Sequence, residues 1–221
     1  MRYAHWTLLS VILILAASTA WAGCPIAYTQ PVQMQCPQPC PMAAPPCPQP
    51  CPPACPCPAS VPAALGAGPA AELQCVGCPG FDAAYASRMY AQNSVIIAVT
   101  EFGMQRANNH NLRDISGEIN GYLTSANAKL QAWYGAVACA SASPDCARAQ
   151  AIIAELCATP ASCFDAVYAR TLSQLLTQSN AADTLGGDRT VTRPMREQAQ
   201  FLSAKEADWA FRLDRWVSEH G

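Results

Sequence analysis

The sequence predicts an all-α protein: a four-helix bundle built from two repeated helical hairpins, preceded by a disordered Pro/Cys-rich segment. Three observations point there. First, the chain contains itself twice. Residues 71–135 lie on 154–218 without a gap, with 14 identities in 65 positions. That share is modest, but the identities cluster at the two ends of the repeat. Ala71-Glu72-Leu73 falls on Ala154-Glu155-Leu156, and Phe81-Asp82 with Tyr85-Ala86 falls on Phe164-Asp165 with Tyr168-Ala169. Gly103, Arg106, Arg113, Leu130 and Trp133 meet Gly186, Arg189, Arg196, Leu213 and Trp216. The unit is too long for a common solenoid repeat, so two copies imply one domain made of two similar halves. Second, apolar residues after position 66 recur at helical spacing and never alternate at period two. Third, residues 24–65 hold 14 prolines and seven cysteines and no charged residue, a composition that cannot build a packed core.

Residues 1–22 read as an export signal. Arg2 is the only charge before Glu72, an apolar run follows from Leu8 to Ala17, and Ala20-Trp21-Ala22 is a small-x-small cleavage site. The apolar run falls short of the roughly 20 residues that span a bilayer. Ala22-Gly23-Cys24 also matches the end of a lipoprotein signal, which would put a lipid and hence a membrane attachment on Cys24. All 13 cysteines follow the cleavage site, so export would place them in an oxidising compartment, the periplasm or cell envelope. An odd number leaves one thiol over. Lipidation of Cys24 or an intermolecular disulfide, and so a linked homo-oligomer, would each account for it.

Residues 23–65 form the stalk. Polyproline II is the expected backbone there, and a stiff spacer the plainest role. Cys36, Cys40, Cys47, Cys51, Cys55 and Cys57 are also candidate ligands for a soft cation such as Cu(I). In polyproline II, cysteines four apart sit roughly 12 Å apart, so chelation needs a bend or distant pairs, whereas cross-linking between chains needs neither.

From 66 to 221 the elements follow in order. Residues 80–107 carry Tyr85, Met89, Ile96 and Val99 at helical spacing. Asn108 to Asn111 form a turn that offers an N-cap, and 111–138 continue the period through Leu112, Ile115, Ile119, Leu123 and Leu130. A short helix follows Ser143-Pro144-Asp145 to about Cys157. Another runs from Thr159-Pro160 to about Leu185, where Gly186-Gly187-Asp188 is expected to break it. The last starts near Pro194 and ends at Ser218. Helices of about 25 residues span roughly 37 Å, and two such hairpins bury their apolar stripes against one another. Trp133 and Trp216 are expected to anchor the core. Cys75, Cys78, Cys139, Cys146, Cys157 and Cys163 are candidates for structural disulfides at the ends of the domain. Cys75-Val76-Gly77-Cys78 has redox spacing, but no His follows it, which excludes c-type haem attachment.

The pattern Asp82-x-x-Tyr85-x-x-x-Met89, with Ile96, Ala107-Asn108, Leu112-Arg113, Ile119 and Trp133, resembles the DUF305 family of exported ferritin-like bundles, and Asp165-x-x-Tyr168-x-x-x-Leu172 is a more worn copy. The DUF4142 family has a similar register. The resemblance implies a ferritin-like bundle and a link to periplasmic copper. In that family a His-His pair follows the Met by three residues. Here Gln92 and Asn93, and in the second half Leu175 and Leu176, stand in its place. Amides are poor transition-metal ligands and leucine is none, so Met89, Gln92 and Asn93 read as a degenerate family site.

Composition excludes several functions. The whole chain has 13 Lys+Arg against 15 Asp+Glu and no basic run, so nucleic-acid binding has no electrostatic basis. No Glu-x-x-His di-iron motif, nucleophile motif or phosphate-binding glycine loop occurs, and no catalytic residue is assigned. The expectation is a non-catalytic envelope protein, with copper binding seated in the cysteine tail. The alternatives are a structural protein cross-linked through that tail, and a helical enzyme with an unrecognised cofactor.

Overall fold

The computed structural model describes residues 61–138 and 140–220, and these are helical, with no strand among them. After a 3-10 turn at Ala63–Leu65 come α1 (Ala70–Gln74), α2 (Phe81–Arg106), α3 (His110–Ala138), α4 (Cys146–Ala158), α5 (Phe164–Arg189) and α6 (Arg193–His220). No helix among the described residues is long and apolar enough to cross a membrane.

The four long helices pack along their lengths. Asn120 and Asn127 of α3 donate to the Ile97 and Tyr90 carbonyls of α2. Asn180 of α5 donates to the Ser203 carbonyl of α6 at 2.6 Å. Between these pairs, Tyr85 of α2 reaches Asp183 of α5, and Gln92 donates to the Leu175 carbonyl. Rising numbers on α2 meet falling numbers on α5, so the two run antiparallel. Trp209 of α6 donates Nε1–H to Glu118 of α3.

The starts of α3 and α6 are built the same way. Asp165, in the first turn of α5, accepts the Asn108 and Asn109 N–H groups at 3.0 and 2.9 Å. Asp82, in the first turn of α2, accepts the Val191 and Thr192 N–H groups at 3.0 and 2.9 Å and the Thr192 hydroxyl at 2.6 Å. Helix N-termini leave N–H groups without intrahelical partners, and these carboxylates supply them. Burial opposes the charge on Asp82, but the bonds from Thr192 and Val191 outweigh it and hold the carboxyl below its usual range. Arg189 wraps the α1–α2 loop by donating to the Leu73, Gln74 and Val76 carbonyls over the Phe81 ring, and Arg106 lies over Phe164 and donates to the Cys157 carbonyl.

The core falls into two clusters. The larger surrounds Ile96, Leu123, Tyr168, Leu176 and Trp209; the smaller holds Leu73, Phe81, Tyr85, Met89, Leu130 and Met195.

Four elements differ from the expectation. Gly186 and Gly187 do not break α5, which runs on to Arg189. A Cβ on Gly186 would collide with the Tyr85 ring, and one on Gly187 would lie 2.9 Å from Gln200, so the missing side chains serve close helix packing. Helix α5 starts at Phe164 rather than near Pro160. Packing begins inside the expected stalk, because Leu65 is buried and residues 61–66 are fastened to the domain. Trp133 is only half-buried, while Trp209 is completely enclosed and Trp216 nearly so.

Candidate functional site

Gln92 and Asn93 are both buried, but they have different surroundings. The Gln92 amide is committed at both ends: Nε2 donates to the Leu175 carbonyl at 3.1 Å, and Oε1 accepts from Arg148 at 2.7 Å. Arg148, in the first turn of α4, also donates to Gln178 at 2.8 Å and to the Leu65 carbonyl at 2.5 Å. Gln178 donates to the Gly66 carbonyl, and the Glu155 carboxylate accepts the Ala63 and Ala64 N–H groups at 2.7 and 3.0 Å. One guanidinium therefore joins α2, α4, α5 and the stretch where the Pro/Cys-rich segment enters the domain. Desolvation lowers the Arg148 pKa from its usual value, and Asp145 opposes that. Asp145 also caps α4 by accepting the Arg148 N–H at 3.1 Å.

Asn93 is fully buried, and neither its Nδ2 nor its Oδ1 finds a hydrogen-bond partner. Met89, one turn before it, packs in the smaller core cluster. Leu175 and Leu176 are buried core residues. Gln92, Asn93, Leu175 and Leu176 thus hold a structural clamp, an unpartnered amide and two core leucines.

The most unusual chemistry lies where the sequence offered no motif. Asp183 of α5 and Glu206 of α6 are both completely buried. Asp183 Oδ1 accepts the Tyr85 hydroxyl at 2.5 Å, and its Oδ2 has no partner. The Glu206 carboxyl lies against Asp183 and Ser179, yet neither of its oxygens, nor Ser179 Oγ, makes a well-formed hydrogen bond. Burial pushes the Asp183 carboxyl up to about 7 against the bonds it receives. Burial first, and then the Asp183 charge, raises Glu206 well above the usual carboxylate range. Tyr85 is also raised, by burial and then by Asp183. Among the described residues, no Lys or Arg side chain acts on either carboxyl. Two acids enclosed together cannot both ionise without a cation, so the pair retains a proton at neutral pH. Each buried polar group left unpaired costs about 1–3 kcal/mol. The proton that the pair retains serves the facing Asp183 and Glu206 oxygens and so reduces that cost.

The sequence did carry a signal for this pair. On α6, Glu206 sits four residues after Leu202 and three before Trp209, inside the apolar stripe. On α5, Asp183 follows Leu175, Leu176 and Ser179 on the inward side. A carboxylate within an apolar stripe marks a buried acid.

Among the cysteines, Cys75, Cys78 and Cys157 are free and exposed, so none of these three forms the expected disulfide. Cys146 and Cys163 each have a partner. Cys139 lies outside the described residues, as do Cys24, Cys36, Cys40, Cys47, Cys51, Cys55 and Cys57. His110 and His220 are peripheral. His110 pairs with Asp114 at 3.2 Å, and His220 stacks on Trp216. Among the described residues, no three His, Cys, Asp or Glu side chains converge as a metal centre.

No family model matches the chain, and no curated protein or solved structure matches it.

Proposed function

We propose that this protein is an exported, non-catalytic, ferritin-like four-helix bundle that holds a Pro/Cys-rich segment at a fixed point of the cell envelope, with copper taken by that segment's cysteines. The observation that carries the reading is the clamp on residues 61–66. Arg148, Glu155 and Gln178 supply five hydrogen bonds to Ala63, Ala64, Leu65 and Gly66 or to one another there. A stretch with no regular element beyond one 3-10 turn is thereby fixed by a half-buried arginine. Such anchoring transmits position to whatever chain precedes it.

The bundle reading rests on the antiparallel pairing of α2 with α3 and α5 with α6, and on the contacts joining α2 to α5 and α3 to α6. The duplication reading rests on contacts that recur 83 positions apart: Asp82 with Asp165, Arg106 with Arg189, and Gly103 under Tyr168 with Gly186 under Tyr85. The DUF305-like reading rests on the residues quoted for it in the sequence.

Copper titration tests the division of labour. The reduced protein should bind Cu(I), and a variant with serine at Cys36, Cys40, Cys47, Cys51, Cys55 and Cys57 should not. Cu(I) retained by that variant would move the site into the domain. No Cu(I) on either protein would favour the structural alternative, a protein cross-linked through its tail.

A further inference from the structure

We propose that the proline-rich residues 45–53 of this chain dock on the aromatic face that Tyr122 of α3 and Phe201 of α6 present side by side. Helices α1 and α4 pack on α2 and α5, whereas Tyr122 and Phe201 lie on α3 and α6, 41% and 47% exposed. The two rings are in contact, with centroids 6.1 Å apart, and the Tyr122 ring also lies 5.7 Å from that of the enclosed Trp209. Lys205 places its ammonium 5.1 Å from the Tyr122 ring centre. Single exposed apolar side chains are ordinary, but a supported ring pair beside a cation is a contact surface. Rings held from beneath lose little freedom when a partner covers them.

The sequence supplies an occupant of matching chemistry. Residues 45–53 read Pro45-Pro46-Cys47-Pro48-Gln49-Pro50-Cys51-Pro52-Pro53. Polyproline II is the expected backbone for such a run, and it is the form that aromatic-lined grooves recognise. Pro45 and Pro48 are three apart, as are Pro50 and Pro53, so each pair shares one edge of a helix with three residues per turn. The backbone carbonyls of that helix have no internal partners, and the Lys205 ammonium supplies donors for them. The segment carries no charge, so laying it over the rings strips water from no ion.

Length and area favour this occupant. The chain enters the domain at residues 61–66, held by Arg148, Glu155 and Gln178 of α4 and α5. Pro48 lies 13 residues before Val61. That stretch spans about 40 Å in polyproline II, enough to pass around two layers of helices each about 10 Å across. A tether of this kind gives an effective concentration on the order of mM, so a weak contact suffices. A second copy of the chain fits the face less well. Two rings of about 200 Å² each, less than half exposed, offer under about 200 Å², against the roughly 1,200 Å² or more that a stable interface buries.

The docking uses prolines and rings, so it stands apart from the copper reading. Proton NMR of the reduced, metal-free full chain tests it. Nuclear Overhauser contacts should join the Tyr122 and Phe201 ring protons to Cδ protons of the prolines in residues 45–53, and should persist on dilution. The Pro48→Ala, Pro50→Ala variant should lose them and shift the Lys205 amide signal. Phe201→Ser should lose the contacts to Tyr122 as well. A native chain with no contact between these rings and these prolines would overturn the proposal. So would contacts that fade on dilution, because the segment of a second copy would then be the occupant. If Phe201→Ser does not fold, the proline variant decides, since its changes lie outside the helices: signals of Tyr122, Phe201 and Lys205 unchanged from the native chain equally overturn the docking.

Discussion

The two ends of the helical domain use the same parts for different purposes. At one end Phe164 stacks on Tyr168, Arg106 covers Phe164, Asp165 caps the start of α3, and the tyrosine ring lies against Gly103. At the other, Phe81 stacks on Tyr85, Arg189 covers Phe81, Asp82 caps the start of α6, and the ring lies against Gly186. The difference is what each tyrosine touches. Tyr168 shares a hydrogen bond with Ser116 at 2.6 Å, and Ser116 also donates to the Leu112 carbonyl, so that network is neutral and closed. Tyr85 donates to a buried acid backed by a second acid. In the 83-residue register, the buried Asn93, Ser179 and Glu206 stand where the other copy has the buried Leu176, Ile96 and Leu123. The comparison separates scaffold from site. Features shared by both ends hold the helices together, and features found at one end only are the ones that need a chemical reason.

The largest expected effect comes from exchanging the two ends' core residues. Leu176→Asn should destabilise the domain by about 3–5 kcal/mol, the loss of a buried leucine plus an amide with no partner. Asn93→Leu removes two unpartnered polar atoms from a fully buried position and should stabilise by about 1 kcal/mol. Chemical denaturation of both variants reads the difference. A destabilising Asn93→Leu would mean that the Asn93 amide is satisfied in solution.

Much of this layout was legible in the sequence, and the gaps have physical reasons. The helices showed because their apolar stripes keep the 3.6-residue period through Tyr85, Met89 and Ile96 and through Leu202, Trp209 and Leu213. Gly186-Gly187 misled because glycine ends helices and also lets them approach, and only the opposing Tyr85 ring decides between the two. Arg148 was invisible because its side-chain acceptors on Gln92, Leu65 and Gln178 lie 30 to 83 positions away, in segments that only the fold brings together. Glu206 was visible as a charge in an apolar stripe, but its partner Asp183 had to be found on another helix.

A smaller contrast tests the tyrosines. Tyr85→Phe strands both Asp183 oxygens and should cost about 2–3 kcal/mol at neutral pH. Tyr168→Phe leaves Ser116 its Leu112 acceptor and should cost about 1 kcal/mol. Thermal melts of the two variants measure the gap, and equal losses would show that the acid pair places no special demand on Tyr85.

The smallest contrast is an expected near-equality. Asp82→Ala and Asp165→Ala each remove the acceptor for two N–H groups at a helix start, and each should cost about 1–2 kcal/mol. The Asp82 loss should be slightly the larger, for the Thr192 hydroxyl it also binds. Urea melts measure both. A much larger gap would mean that the starts of α3 and α6 are not built alike.

The most direct test of the account is the pH dependence of stability. A free carboxyl titrates near pH 4, whereas folding raises Asp183 to about 7 and Glu206 well above its usual range. Between those values the folded domain binds more protons than the unfolded chain, so stability falls as pH rises from about 4 to 7. Asp82 works in the opposite sense, because its lowered pKa withdraws stability as pH drops below about 4. Metal-free protein should therefore melt at a higher temperature at pH 5 than at pH 8, and the Asp183→Asn, Glu206→Gln double variant should lose most of that difference. A native melting temperature that is flat or rising from pH 5 to 8, with the same profile in the double variant, would contradict a proton-holding acid pair in the core.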